Sequence, residues 1–284
     1  MDSGNIGFVL LCAAFVFVMT PGLAMFYGGL VRKKNVVNTM MTSIFIIGIG
    51  IVMWVLFGYS LSFAPSGNAF IGDFRWLGLE GVSLTEGYTD GASIPNMVFS
   101  AFQMMFAVIT PALITGAVAG RMKFKSIFVF TIFWSLIVYY PLAHMVWGQG
   151  GLLGADGIGA LDFAGGDVVH ISSGVSALVL CILLGKRHDY EHSIYRIHNI
   201  PTVVLGASLL MFGWFGFNAG SALAADGLAA HAFMTTGVSA AAAMLSWMLC
   251  DVISRSTRQR IRSGMHFSIP LTTRRCCTSS STCC

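Results

Sequence analysis

Seven stretches of this chain are each apolar over enough residues to cross a lipid bilayer as a helix, and this constrains the fold more than any single motif. A hydrocarbon core of about 30 Å takes about 20 residues at the rise of an α-helix. The runs are approximately Ile6 to Leu30, Val37 to Phe63, Ile94 to Gly120, Ile127 to Val146, Asp167 to Gly185, Ile200 to Ala224 and Leu228 to Val252. In hydrocarbon every backbone N–H and C=O needs an internal partner, so runs of this length read as helices. The expected fold class is all-α integral membrane, with seven transmembrane helices.

Composition agrees. Of 284 residues, 56% are hydrophobic and 10% charged, with mean hydropathy +0.77, whereas a soluble domain carries roughly a quarter charged residues. The net charge of +4 does not point to a nucleic-acid partner. Six bases (Arg255, Arg258, Arg260, Arg262, Arg274, Arg275) follow Ile253, and the chain before them holds ten bases against twelve acids. Cys12, Cys181 and Cys250 sit in apolar spans, while Cys276, Cys277, Cys283 and Cys284 crowd the end, with neither a disulfide framework nor a zinc spacing. Met1 to Asn5 lacks the basic start and the cleavage site of a secretory signal, so the first span reads as retained.

Charges between the runs give an orientation. Arg32-Lys33-Lys34, Arg121/Lys123/Lys125 and Lys186-Arg187 follow the first, third and fifth spans, whereas Asp73, Glu80, Glu86 and Asp90 follow the second. Basic connections stay in the cytoplasm, which sets the N-terminus outside. Pro21, Pro111 and Pro201 lie within or near span ends and read as kinks whose freed backbone groups neighbouring helices satisfy. The glycine-rich connection Ala64 to Ser93 reads as an ordered outer cap.

Polar groups within such spans are costly and mark interiors or ion paths. Asp162, Asp167 and His170 stand at the mouth of the fifth run, and in a regular helix Gly166, Asp167, Ser173, Gly174 and Ala177 share the His170 face. Small residues let helices approach, so His170 is expected to point into a packed interior, as part of a path or as a histidine that hydrogen-bonds a neighbouring helix. His188-Asp-Tyr-Glu-His192 has the look of an inverted zinc-protease motif, but a third ligand is not evident, so no metal site and no cofactor are expected. Gly154-Ala-Asp-Gly-Ile-Gly159 lacks the preceding strand that a nucleotide-binding loop needs.

The aromatic residues carry more. Phe102-Gln103-Met-Met-Phe106 and Trp214-Phe215-Gly-Phe217-Asn218-Ala-Gly-Ser221 set rings beside small or polar residues, and Trp147 ends the fourth span, where an interfacial belt is the plainer reading. Rings attract a cation as it loses water. A strongly apolar passage beyond them favours a neutral species, because carrying an unpaired ion through low dielectric is far more expensive.

Met19-Thr-Pro-Gly-Leu-Ala-Met-Phe-Tyr-Gly-Gly-Leu-Val-Arg-Lys-Lys-Asn35, Pro141-Leu-Ala-His-Met-Val-Trp147, Asp162 to Ser173 and Gly213 to Ser221 resemble the ammonium transporter family, and the similarity runs from about residue 5 to 253. By that resemblance Trp147 and Ser221 form an outer ammonium site, Phe106 and Phe217 a paired-ring gate, and His170 the first of two pore histidines. Asp162 matches an outer acidic residue that supports recruitment and local fold, and Trp214 and Asn218 line or brace the pore. The implied function is transport of ammonium or ammonia by a homotrimer in the plasma membrane: recognition of the cation outside, deprotonation at the rings and passage of ammonia, without covalent chemistry and so without an enzyme's role.

The chain also departs from that family. Members have eleven spans in two inverted five-helix halves plus a last helix, so residues 5–253 correspond to the first half and two helices of the second, a partial inverted-repeat bundle lacking the second pore histidine. Residues 254–284, basic and cysteine-rich, match no family segment and read as a disordered tail, either of frameshift origin or as a basic arm for anionic lipid. An ammonium sensor and a non-functional truncated product are the alternatives to transport, and the chain as written is expected not to conduct.

Overall fold

A computed structural model of the chain describes residues 1–65, 67–155, 157–187, 190 and 197–264, the last ten as backbone only. Among them are seven membrane-length helices: α1 (Ser3–Leu30), α2 (Lys33–Phe63), α3 (Asn96–Val118), α4 (Phe124–Trp147), α5 (Gly166–Leu184), α6 (Ile200–Gly220) and α7 (Gly227–Gly264). The seven apolar runs therefore each became a helix. α7 continues beyond Val252, where its apolar run ends, as a regular helix to Gly264. Residues 1–236 form one compact unit, and the segment from Gly237 is a separate one.

Side-chain caps start several helices. Asp2 accepts the Asn5 amide at 2.8 Å, Asn199 the Thr202 amide at 3.1 Å and Asp226 the Ala229 amide at 2.9 Å. Each satisfies one of the donors that a helix start leaves without a partner. α3, which follows Pro95, is capped instead by the connection before it, whose Glu86 and Ser83 carbonyls accept the Asn96 and Met97 amides. Turns of π-helix interrupt α2 at Trp54–Gly58 and α4 at Ser135–Tyr139. There Tyr140 packs against the bare Cα of Gly58, and Trp54, Tyr59, Phe63 and Tyr140 form one aromatic cluster.

The described residues of the connection between α2 and α3 form an ordered cap. The Ser60 hydroxyl donates to the Asp73 carbonyl at 2.7 Å and accepts the Trp76 amide, while Trp76 stacks on Tyr59 with centroids 5.3 Å apart. Buried His144 on α4 sets its two ring nitrogens against the Ser62 and Asn68 carbonyls, at 3.1 and 2.8 Å, tying that cap to the fourth span. Outside the membrane spans, the Arg75 guanidinium beside Asp73 holds that carboxyl below its usual range. Burial pushes the Tyr88 phenol up to about 12.

Exposed Leu11, Phe45, Leu56, Phe133, Ile137 and Ile182 coat the outer faces of the helices. A surface so apolar suits lipid and not water. Without a hydrophobic drive between helices in lipid, packing rests on close approach. The closest is α1 against α6, where Gly206, Gly213, Gly216 and Gly220 let the α6 backbone touch α1. A Cβ on Gly206 would sit 2.6 Å from the Gly22 carbonyl oxygen and nearer still to the Phe26 amide. Both are backbone atoms, so no rotamer change relieves the clash. Gly206→Ala is expected to lower the unfolding free energy by about 1–3 kcal/mol in detergent micelles. Gly7→Ala, where nothing lies within 4 Å of the new methyl, is expected to be neutral or stabilising by up to about 1 kcal/mol.

Candidate functional site

The site begins with the start of α5. Its first turns, Gly166–Ile171, are wound as π-helix, preceded by Gly165 at φ 106°, a left-handed conformation that a side chain resists. The Asp162 carboxylate lies across this helix start and accepts four backbone amides. Oδ1 takes those of Gly165 and Gly166, and Oδ2 those of Asp167 (2.8 Å) and Val168 (3.0 Å). All its strong acceptor directions are thus turned to the protein and to the positive end of the helix dipole. The Asp162 carbonyl in turn accepts the indole N–H of Trp147 at 3.0 Å, fixing that ring at the end of α4.

Trp147 stands over a cavity of about 820 Å³ whose lining includes Phe102, Gln103, Phe106, Asp162 and Ser221. Ser221, at the end of α6, donates its hydroxyl hydrogen to the Phe217 carbonyl at 2.8 Å, which leaves the oxygen's lone pairs to accept from a ligand. Phe106 meets Trp147 edge-on with centroids 6.0 Å apart, and behind it Phe217 lies against Phe106 at 4.3 Å. Both phenylalanines are 1% exposed. Beyond Phe217 come His170, centroid to centroid 6.0 Å, and Trp214, stacked on the imidazole at 5.4 Å and 9°. A hydrated ion has no room between rings at 4.3 Å.

The residues singled out in the sequence thus fall along one line of rings from cavity to imidazole. Trp147, Ser221, Asp162 and Phe106 border the cavity, while Phe217, Trp214 and His170 lie behind. Asn218 does not border the cavity; its amide donates to Thr236 Oγ1 on α7 at 2.8 Å. The expectation that His170 points into a packed interior fails: His170, Gly166 and Gly174 are exposed, and Val168, Val169, Ser172 and Ser173 are the buried positions. Gly166 and Gly174 do share the His170 side, as a −4 and +4 spacing requires, but among the described residues that side is covered only in part, by Trp214 and Phe217 against the imidazole. Of the His188–His192 motif all residues but Tyr190 lie outside the described residues. Among the described residues of 154–159, the Gly157 and Gly159 amides both donate to the Gly154 carbonyl.

The sequence reading left two residues of this region without a role. Gln103 lines the cavity on the α3 face that carries Phe99, Phe102 and Phe106, and its signal was a lone polar residue among rings. His144 had no signal beyond its place in a motif, because its partners are backbone carbonyls far along the chain, at the end of α2 and in the connection after it.

Comparison with known proteins decides the family. The profile described as Ammonium Transporter Family matches residues 7–265. The chain belongs to the ammonium transporter family. It is 52% identical over 254 residues to an ammonium transporter of Bacillus subtilis, covering 89% of this chain and 61% of that protein. Among solved structures, Mep2 of Candida albicans superposes with TM-score 0.81 at 33% identity over 90% of this chain and 56% of its own, and Saccharomyces cerevisiae Mep2 with 0.81 at 37%, covering 89% and 56%. The chain thus spans about three-fifths of the length of these relatives.

If the Asp162 carboxylate holds the start of α5, Asp162→Ala lowers the unfolding free energy by about 2–4 kcal/mol, and Asp162→Asn, which keeps one acceptor oxygen, by less. Denaturant unfolding of the two variants in micelles measures the order.

Proposed function

We propose that the chain takes part in ammonium transport, binding the cation in the Trp147 cavity and passing it as ammonia through the Phe106–Phe217 ring pair toward His170. The observation that supports this best is the order of groups along one line: a cavity with an indole face and an accepting hydroxyl, then two phenylalanine rings in contact, then an imidazole. The rings and the hydroxyl suit a small cation stripped of water, an attraction of about 2 kcal/mol or more once desolvated. The ring pair suits a neutral species, because an unpaired ion pays a far larger penalty there. Asp162, already bonded to four amides, attracts the cation from a distance and does not coordinate it. Trp214 braces the imidazole by stacking, and Asn218 braces α6 through Thr236. The step is binding and proton release with no covalent intermediate.

In this reading the chain lies in the plasma membrane with its N-terminus outside and the basic connections inside, and it assembles as a homotrimer, as its family resemblance implies. A reporter fused after Lys34, Lys125 or Arg187 is then cytoplasmic and one fused within residues 67–91 external.

Transport is tested in a chimera in which residues 1–253 replace the matching part of the Bacillus subtilis relative, expressed in a host without ammonium transporters. Saturable ammonium uptake is expected, and Trp147→Leu should raise the half-saturating concentration roughly tenfold or more. Unchanged concentration dependence would make Trp147 an interfacial anchor only.

A further inference from the structure

α3 presents Phe99, Phe102, Gln103 and Phe106 at i, i+3, i+4 and i+7, the spacing of a single helix face, and all four line the cavity. Gln103 stands three residues before Phe106, about 4.5 Å along the axis, and is 9% exposed. Its carbonyl oxygen Oε1 is buried with no hydrogen-bond partner among the described residues. A buried acceptor left in that state is destabilising, and buried polar side chains nearly always find a partner. The neighbouring polar groups are already committed: the Asp162 carboxylate to four amides, the Trp147 N–H to the Asp162 carbonyl, and the Ser221 hydrogen to the Phe217 carbonyl.

We infer that Gln103 is a ligand of the ammonium cation in this cavity, its amide oxygen accepting one N–H while Ser221 Oγ accepts another and the ring faces attract the remaining charge. This rests on the reading of the cavity as an ammonium site. Gln103 lines the cavity, and the inference requires that rotation about the soft terminal torsion of its side chain brings Oε1 into it. An amide oxygen suits the task. It is a strong neutral acceptor, so it adds directional recognition without the tight ion pair that a carboxylate would form and that would slow release toward the rings. Its place on the cavity side of Phe106 makes the cation bond Gln103 before its proton is lost. The residue therefore sets affinity for the cation, and it does not touch the ammonia that passes the rings.

The test is a titration of the 284-residue chain in lipid nanodiscs with ammonium chloride. Chloride is held constant with the sodium salt at mildly acidic pH, and intrinsic tryptophan fluorescence reports on the Trp147 cavity. Gln103→Leu, similar in volume and without an acceptor, should raise the half-saturating ammonium concentration roughly tenfold or more, the size of one hydrogen bond to a charged group. Gln103→Glu, which keeps the acceptor and adds charge, should leave it unchanged or lower it. A Leu variant within twofold of the parent overturns the inference and leaves the cavity reading standing. If the Leu variant does not assemble, the Glu variant decides, and a half-saturation raised above the parent's overturns the role. A parent that shows no ammonium response overturns the cavity reading and this inference with it.

Discussion

The constraint on which the rest depends is that a helix starting within a packed bundle exposes amides that nothing in its own backbone can satisfy. Each such donor left unpaired and buried costs on the order of 1–3 kcal/mol. Asp162 meets four of them at once, and its own carbonyl holds the Trp147 indole. One residue thus fixes where α5 begins, how the π turn brings His170 to Trp214, and which face of Trp147 the cavity sees. Moving the helix start by one residue would carry His170 away from Phe217 and leave the ring line without its end.

That arrangement has an electrostatic consequence for the proposed transport. The acidic group nearest the cavity is spent on backbone, so a cation there meets rings, a hydroxyl oxygen and an amide oxygen in place of a bare carboxylate. Ring and dipole attractions of a few kcal/mol are enough to concentrate a dilute cation and small enough to let it go. In the proposed transport the Phe106–Phe217 contact would favour a species that sheds its charge, since an unpaired ion between two rings has no compensating group. The glycine face that α6 sets against α1 supports the geometry from behind, holding Phe217 and Ser221 on a helix whose backbone cannot move outward without losing its close contacts.

Much of this was legible in the sequence. The seven spans followed from length and hydropathy, and the cap between the second and third from its glycines and charges. The residues of the ring line were visible because aromatic and titratable groups inside apolar runs are rare, and family resemblance put them in order. Three features were not legible, each for a physical reason. The exposure of His170 depends on which faces of α5 other helices cover, and the residue pattern of α5 alone does not announce that. The placement of His144 between the Ser62 and Asn68 carbonyls depends on tertiary placement of backbone, which side-chain sequence does not encode locally. α7 runs on past its apolar limit because a helix pairs its own backbone whatever its side chains, and arginine and serine tolerate that winding.

The central claim, that the cation is held by ring faces and neutral oxygens and not by Asp162, is tested most directly by solid-state NMR of the chain in lipid with ¹⁵N-ammonium. With ring-¹³C tryptophan, dipolar transfer from the ion should reach Trp147 and vanish in Trp147→Phe. With carboxyl-¹³C aspartate, transfer should be absent or much weaker. Strong transfer to the aspartate carboxyl that Asp162→Asn abolishes, with none to Trp147, would contradict the account.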